Sequence, residues 1–179
     1  MRRLEAQERL ALFDVARALS VKPLLPAALI EFESRWNPQA RNLAGGSACG
    51  LIQFIDDTAF GMGFSGPDFT NPRRGAAAAL IAAFPDTVSQ LRGPVLDYLR
   101  PMAPFRDVSP ALEGQSLFLA VFYPRARRWE PDRSISEDVR IRRGEARAET
   151  YKRQNPGIDT PRDYVEHVWR RAGTVEIES

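Results

Sequence analysis

Residues 31–59 read EFESRWNPQARNLAGGSACGLIQFIDDTA and place one glutamate, Glu33, between an apolar segment and a loop rich in Asn, Gly, Ser and Ala. Apolar side chains recur at helical spacing on both sides of this glutamate, at Leu25, Leu29, Phe32 and Trp36. Pro38 disfavours helical geometry at the residue before it, so the predicted helix ends near residue 35 or 36. Glu33 therefore lies in the last turn of this helix.

In that position the stem of Glu33 would rest on apolar neighbours, and desolvation would favour the protonated carboxylic acid. The negative end of the helix dipole acts in the same direction. A carboxylic acid that keeps its proton near neutral pH is the group that donates to a glycosidic oxygen. Taken alone, a glutamate is more often a solvated surface residue, so the choice depends on the residues around it.

Those residues form a motif. It consists of Glu33-Ser34-x-Trp36-Asn37-Pro38, then Gly50-Leu51-Ile52-Gln53-Phe54 and Thr58-Ala59. The pattern resembles the soluble lytic transglycosylase (SLT) domain, a lysozyme-like family that cleaves peptidoglycan and carries a Glu-Ser pair, an aromatic-Asn-Pro step and a Gly-Leu-Met-Gln step. Phe122-Tyr123-Pro124 and Tyr164-Val165 resemble two further marks of the family. The resemblance spans about residues 12–170 and looks closest to phage-encoded members.

The resemblance implies a fold that is mainly α and lysozyme-like, with a minimal β part. We expect one globular domain over residues 1–179, in which 172–179 form a flexible tail. The apolar patterns separately predict helices at residues 4–19, 73–84, 110–123 and 163–171. Residues 125–147 carry eight arginines and are interpreted either as a surface for peptide-stem carboxylates or as a solvated basic loop balanced by acidic residues.

The resemblance also implies the site residues. Glu33 is the catalytic acid and base, and a further set binds substrate: Ser34, Gln53, Phe54, Tyr123 and Tyr164. The amide of Gln53 offers a donor and an acceptor to an aminosugar, although it could also bond only to the loop backbone. Tyr123 would direct its hydroxyl towards the catalytic acid, whereas the alternative is an ordinary core tyrosine with a satisfied hydroxyl.

The sequence departs from the family at two places. Many relatives have Met-Pro-Ala-Thr-Ala after the glutamine, whereas this chain has Phe54-Ile55-Asp56-Asp57-Thr58-Ala59. Asp56 or Asp57 could cap the next helix, or one of them could be the water-activating carboxylate of an inverting hydrolase. We favour the cap because capping needs only local geometry. The second departure is Pro124-Arg125, which stands where relatives have an asparagine, so the role of that asparagine does not carry over.

Composition restricts the remaining classes of function. The chain has 25 Lys and Arg against 23 Asp and Glu, a balance that does not suggest nucleic-acid binding but suits an anionic cell-wall polymer. A single cysteine, Cys49, and a single histidine, His167, exclude an internal disulfide and metal sites built from several of these residues. We expect no metal and no organic cofactor. The longest apolar run, residues 76–84, is much shorter than the roughly 20 residues of a membrane span.

The function implied by the resemblance is a lytic transglycosylase that cuts the β-1,4 bond between N-acetylmuramic acid and N-acetylglucosamine and leaves 1,6-anhydromuramic acid. Two alternatives stay open: a hydrolytic muramidase of goose-lysozyme type, and a non-catalytic wall-binding protein of a phage tail. The N-terminal residues lack the pattern of a signal peptide. We therefore expect an enzyme of the virion tail, with tail or baseplate partners, that acts in the host periplasm, or an endolysin that waits in the host cytoplasm for release by a holin.

Overall fold

The computed structural model describes residues 3–42, 46–107, 109 and 112–173. The backbone forms two compact units, one of which extends to Pro104 while the other comprises Phe105–Gly173. Both units are built from helices. In the described residues, β structure is limited to isolated bridges that join Cys49 to Arg41 and to Phe54. The prediction of a mainly α fold with a minimal β part is confirmed, and the extent of the domain stays a prediction.

The first unit contains six α-helices in its described residues: α1 (Ala6–Leu19), α2 (Leu24–Ser34), α3 (Asp56–Gly61), α4 (Ala76–Ala83), α5 (Thr87–Gln90) and α6 (Leu96–Leu99). A π-helical segment, Leu91–Val95, joins α5 to α6, and the backbone of Gly93 leaves helical geometry there, next to Pro94. A 3₁₀ turn, Arg100–Met102, follows α6. The helix predicted at residues 73–84 is shorter than expected, because Gly75 adopts a left-handed conformation (φ 85°) and α4 begins after it.

The core of this unit is made by the apolar faces of α1, α2 and α4. Fully buried side chains come from each of them, among them Leu12, Leu19, Leu29, Ile30 and Leu80. Glu5 and Glu8 close the start of α1 as a capping box, and Ser20 ends the helix in a left-handed conformation (φ 55°). α2 is apolar along most of its length, and most of its side chains are buried. Glu33 and Ser34 lie in its C-terminal turn.

The second unit contains four α-helices in its described residues: α7 (Gln115–Phe122), α8 (Ile135–Arg143), α9 (Glu145–Gln154) and α10 (Pro161–Ala172). The prediction for α10 is confirmed, since Thr160 and Asp163 form a capping box and Pro161 is the first helical residue. The helix predicted at residues 110–123 begins only at Gln115, and residues 110 and 111 lie outside the described residues.

From the sequence, residues 125–147 are interpreted either as a surface for peptide-stem carboxylates or as a solvated basic loop. The loop in the second interpretation is wrong, because α8 and the start of α9 lie there. Ser134 caps α8 by accepting a hydrogen bond from the amide of Glu137 at 3.0 Å. Ile135, Val139 and Ala148 are buried and give these two helices a narrow apolar stripe. So few apolar residues among so many charges produce a weak periodic signal, which is why the sequence pattern did not indicate helices.

The longest helix in the described residues, α1, has 14 residues. No helix in this part of the chain is both long enough and apolar enough to cross a membrane. The tail predicted at 172–179 overlaps the described residues only at Ala172, where α10 ends, and Gly173. Residues 174–179 lie outside them.

Candidate active site

Glu33 lies in the last turn of α2, as predicted. The helix ends at Ser34, within two residues of the expected position, and the Glu33 side chain is half-buried. Arg35 and Trp36 then adopt left-handed conformations, with φ of 51° and 59°. The backbone therefore reverses directly after the glutamate, while the Trp36 side chain remains buried at 2% exposure.

Left-handed backbone in residues other than glycine is concentrated here. In the described part of the chain the non-glycine residues with positive φ are Ser20, Arg35, Trp36 and Gln53. A bulky residue such as Trp36 adopts this conformation at an energetic cost, and such strain persists where the surrounding structure imposes it. Three of these four residues belong to the two motifs that flank the loop between α2 and α3. This clustering is typical of a functional site.

The second motif forms a closed turn. Cys49 and Phe54 exchange two backbone hydrogen bonds, of 3.0 and 2.8 Å, and enclose residues 50–53. The backbone amide and the side-chain Nε2 of Gln53 both donate to the carbonyl of Gly50, at 3.2 and 3.1 Å. Gly50 has φ of 80°, and a Cβ there would come within 2.3 Å of Ile81 Cδ1. The turn thus needs glycine, and it fixes the Gln53 amide so that Oε1 is left to accept from a ligand.

A buried glutamine, Gln90, holds the two motifs together and was not anticipated from the sequence. Its side chain is fully buried, and its Oε1 accepts from the amide of Leu51 at 2.9 Å. Its Nε2 donates to the carbonyls of Pro38 at 2.7 Å and Phe84 at 2.9 Å. Polar residues in short helices usually face water, so a buried position was not expected for Gln90. The only signal of burial in the sequence was the apolar residue Leu91 directly after it.

Two other predicted substrate-binding residues are packed inside the first unit. Ser34 is 8% exposed, and its Oγ donates to the carbonyl of Ile30 at 3.1 Å, one helical turn earlier. Phe54 is 2% exposed, and its ring meets the ring of Tyr98 edge-on at 6.0 Å. Through these contacts Ser34 stabilises the end of α2, and Phe54 stabilises the closed turn of residues 50–53, called the Gln53 turn below.

The two predicted tyrosines belong to the second unit. Tyr164 is 1% exposed and stacks on Phe122, with ring centroids 4.1 Å apart and planes 13° from parallel. Tyr123 is half-buried, and its hydroxyl donates to Asp138 Oδ2 at 2.9 Å. The catalytic and substrate-binding roles of these tyrosines stay predictions from the family resemblance.

Asp138 is a buried carboxylate, with its side chain only 6% exposed. Arg142 Nε donates to both of its oxygens, at 3.0 and 3.1 Å, and Arg125 Nε lies 3.7 Å away. Burial by itself would raise the pKa of Asp138, but the hydrogen bonds from Tyr123 and Arg142 and the charges of the two arginines together lower it. Burial and the same carboxylate raise the pKa of the Tyr123 hydroxyl.

We expect Asp138 to stabilise the second unit in a pH-dependent way. Because its pKa is lower in the folded protein than in the unfolded chain, its contribution is complete above about pH 4 and is lost as the pH falls through the folded-state value. The variant Asp138→Asn should lose on the order of 2 kcal/mol at neutral pH and show a flatter acid dependence of unfolding. Urea unfolding at several pH values measures both effects.

The matched control for this experiment is Asp132→Asn. Asp132 also binds an arginine, Arg162 at 2.7 Å, but its side chain is 74% exposed. Its replacement should change the unfolding free energy much less, because water screens the pair. Equal losses in the two variants would contradict a special contribution from the buried carboxylate.

At least four of the eight arginines in residues 125–147 have acidic or aromatic partners, which favours a balanced surface over one reserved for substrate. Arg140 pairs with Glu137, and Arg133 lies 4.1 Å over the ring of Trp129. Arg125 and Arg142 pair with Asp138, so these arginines find their partners within the second unit. No group of three or more His, Cys, Asp or Glu side chains in the described residues is arranged to hold a metal ion.

The two neighbouring aspartates after the Gln53 turn have different environments. Asp56 is the first residue of α3, yet its side chain does not cap that helix. Instead Oδ2 accepts from the amide of Gly75 at 3.1 Å and Oδ1 from the amide of Ala77 at 3.0 Å. Asp56 therefore caps α4, about twenty residues later in the chain. The prediction that it caps the next helix, α3, is wrong. Asp57 is 72% exposed and pairs with Arg73 at 3.3 Å.

We expect Asp56→Ala to destabilise the protein by about 2 kcal/mol, because two amides at the start of α4 lose their acceptor. Asp57→Ala is the matched control and should cost less than about 1 kcal/mol, the value typical of an exposed ion pair. Thermal unfolding of both variants measures the difference. Equal stabilities would show that the α4 amides find water as readily as Asp56.

The residues that surround Glu33 and Gln53 can be compared with known families. The family model of the transglycosylase SLT domain matches residues 12–85. Residues 12–85 are therefore similar to the SLT domain. No curated protein and no solved structure matches the chain.

The matched segment contains Glu33, Ser34, Gln53 and Phe54 and ends at Pro85, just before α5. Its lysozyme-like, mainly helical class agrees with the helices described above. An SLT domain indicates lytic transglycosylase activity on peptidoglycan. Tyr123 and Tyr164 lie beyond the matched residues. The roles of all the predicted site residues, including those inside the matched segment, stay predictions.

Proposed function

We propose that this chain cleaves the β-1,4 bond between N-acetylmuramic acid and N-acetylglucosamine without water and leaves a 1,6-anhydromuramic end. Glu33 first donates its proton to the glycosidic oxygen as the bond to C1 breaks. The acetamido oxygen of the muramic acid bonds to the electron-deficient C1. The ionised Glu33 then removes the proton of the C6 hydroxyl, and O6 displaces the acetamido oxygen from C1.

This sequence of steps uses one carboxylate twice and returns Glu33 to its protonated state. The closing step is intramolecular, so it gains from a high effective concentration of the C6 hydroxyl. Gln53 would hold the sugar in position through Oε1, since its Nε2 is already bonded to Gly50. Ser34 would support the end of α2, where its hydroxyl bonds to Ile30.

The main support for this proposal is that both aspartates near the Gln53 turn, Asp56 and Asp57, already have partners within the protein. An inverting hydrolase needs a second carboxylate that is free to activate water. Both oxygens of Asp56 accept backbone amides, and Asp57 is exposed and paired with Arg73. This arrangement supports the single-glutamate reaction over the hydrolytic muramidase.

The product distinguishes the candidate functions. Purified peptidoglycan is digested, and the released fragments are analysed by mass spectrometry. We expect fragments one water lighter than hydrolytic products. Reducing ends would instead assign a muramidase, and retention on peptidoglycan without any release would assign a non-catalytic binding protein.

For the biological setting we propose a phage tail, where the enzyme opens the host wall during DNA entry. The support is the likeness of the motifs to phage-encoded members of the family. Detection of the protein in purified virions by mass spectrometry would support this setting. Its presence only in lysates of infected cells would favour an endolysin.

A further inference from the structure

A cleft of about 620 Å³ lies beside α3 in the first unit. Its apolar walls are formed by Met62, Phe64, Phe84, Pro94 and Pro101. Two carboxylates, Asp57 and Asp97, line the same cleft and are exposed to solvent. The cleft therefore combines an apolar lining with two negatively charged side chains.

This cleft is a neighbour of the Gln53 turn. Tyr98 lines it, and the ring of Tyr98 meets that of Phe54, the residue directly after Gln53. The helix α3, which supplies Asp57, Thr58 and Gly61 to the lining, begins two residues after Phe54. A ligand in the cleft would thus lie close to the chain segment that we propose to hold the sugar.

The charge of the cleft is only partly balanced. Asp57 contacts Arg73, but the Arg73 side chain is 61% exposed, and its guanidinium also lies 5.0 Å over the ring of Phe60. Asp97 has no basic partner in the described residues. The whole chain has a net charge of +2, so an acidic cleft differs in sign from the molecule that carries it.

We propose that this cleft binds a primary ammonium group carried on a short aliphatic chain. The carboxylates would pair with the ammonium, and the apolar walls would cover its methylene groups. Tyr98, which also lines the cleft, has an aromatic ring of the kind that attracts cations. Glycan hydroxyls and acetamido groups can donate hydrogen bonds to the two carboxylates, but they carry no positive charge, so a sugar would leave the negative charge of the cleft without a counterion.

If the proposed function holds, the ammonium belongs to peptidoglycan itself. The glycan strands have no such group, whereas the peptide stems carry one on the side chain of their diamino acid when that amine is not crosslinked. The inference rests on the proposed function for this assignment, and it predicts that the enzyme prefers strands with uncrosslinked stems. The binding of the ammonium chain can be tested without any turnover.

The first experiment measures binding of a lysine-containing stem peptide and of the same peptide acetylated on its side-chain amine, by titration followed with NMR. We expect the free amine to bind more tightly and its binding to weaken with salt. Asp97→Asn and Asp57→Asn should each weaken it roughly two- to fivefold, the range of an exposed ion pair. In the double variant the preference for the free amine should disappear.

Asp14→Asn is the matched control, since Asp14 is also a partly exposed aspartate paired with arginines, on α1. It should leave the preference unchanged. Equal binding of the two peptides by the wild-type protein, or a preference that persists in the double variant, would overturn the proposal. Binding of a stem-free oligosaccharide that depends on the two aspartates would also overturn it, because the cleft would then be a sugar site.

Turnover of stem-free glycan strands, measured in parallel, separates this inference from the proposed function. Turnover without any peptide preference rejects the ammonium site and keeps the transglycosylase. A peptide preference that requires Asp57 and Asp97, without turnover of any strand, supports the ammonium site and rejects the transglycosylase.

Discussion

Replacement of Glu33 by glutamine is expected to lower the rate of fragment release from peptidoglycan by about 10²–10⁴-fold. Glutamine has nearly the same shape as glutamate but cannot donate a proton to the glycosidic oxygen or remove one from the C6 hydroxyl. Since Glu33 lies in the final turn of α2 and is only half-buried, the change should leave the fold intact. Initial rates of release, with the melting temperature as a check on folding, measure the effect.

Glu31→Gln is the matched control for this experiment. Glu31 lies two residues earlier in the same helix and is also half-buried. It loses the same charge from the same helix end, yet it is outside the family motif, so its variant should keep nearly the full rate. Similar losses in both variants would mean that charge near the end of α2, and not proton transfer by Glu33, controls activity.

The second large effect is expected from Gln90→Met, which keeps the size of the side chain and removes its hydrogen bonds. The amide of Leu51 and the carbonyls of Pro38 and Phe84 would lose their partner in the interior. Three such losses should cost about 3–5 kcal/mol in unfolding free energy, which corresponds to a decrease in melting temperature of roughly 10 °C. Thermal and urea unfolding measure this loss.

Gln39→Met provides a control of the same chemistry. The Nε2 of Gln39 also donates to a backbone carbonyl, that of Pro85 at 2.8 Å, but the side chain is exposed. Water can replace that bond, so the cost should be below about 1 kcal/mol. Equal destabilisation by the two variants would contradict the account of Gln90 as the residue that joins the two motifs. At temperatures where Gln90→Met is still folded, its activity should also decrease, because the Gln53 turn loses its anchor at Leu51.

Local patterns predicted much of the structure around Glu33. Pro38 and the apolar spacing placed the end of α2 within two residues, and the apolar pattern at residues 163–171 located α10, which spans Pro161–Ala172. Such signals succeed because caps, prolines and apolar periodicity act over a few residues. The pattern failed for α8 and α9, where burial of a few apolar side chains stabilises helices that are otherwise strongly charged.

The sequence by itself determined that Glu33 ends an apolar helix, that a glycine-rich loop and a Gly-Leu-Ile-Gln-Phe turn follow it, and that the chain is mainly helical. These properties depend on neighbours along the chain. The tertiary structure decided which distant partner each polar group meets: Asp56 caps α4, Gln90 joins Pro38 to Leu51, and Tyr123 bonds to Asp138. Each of these hydrogen bonds joins residues that are 15 to 52 positions apart, and no local pattern encodes that pairing, because it exists only once the helices have packed.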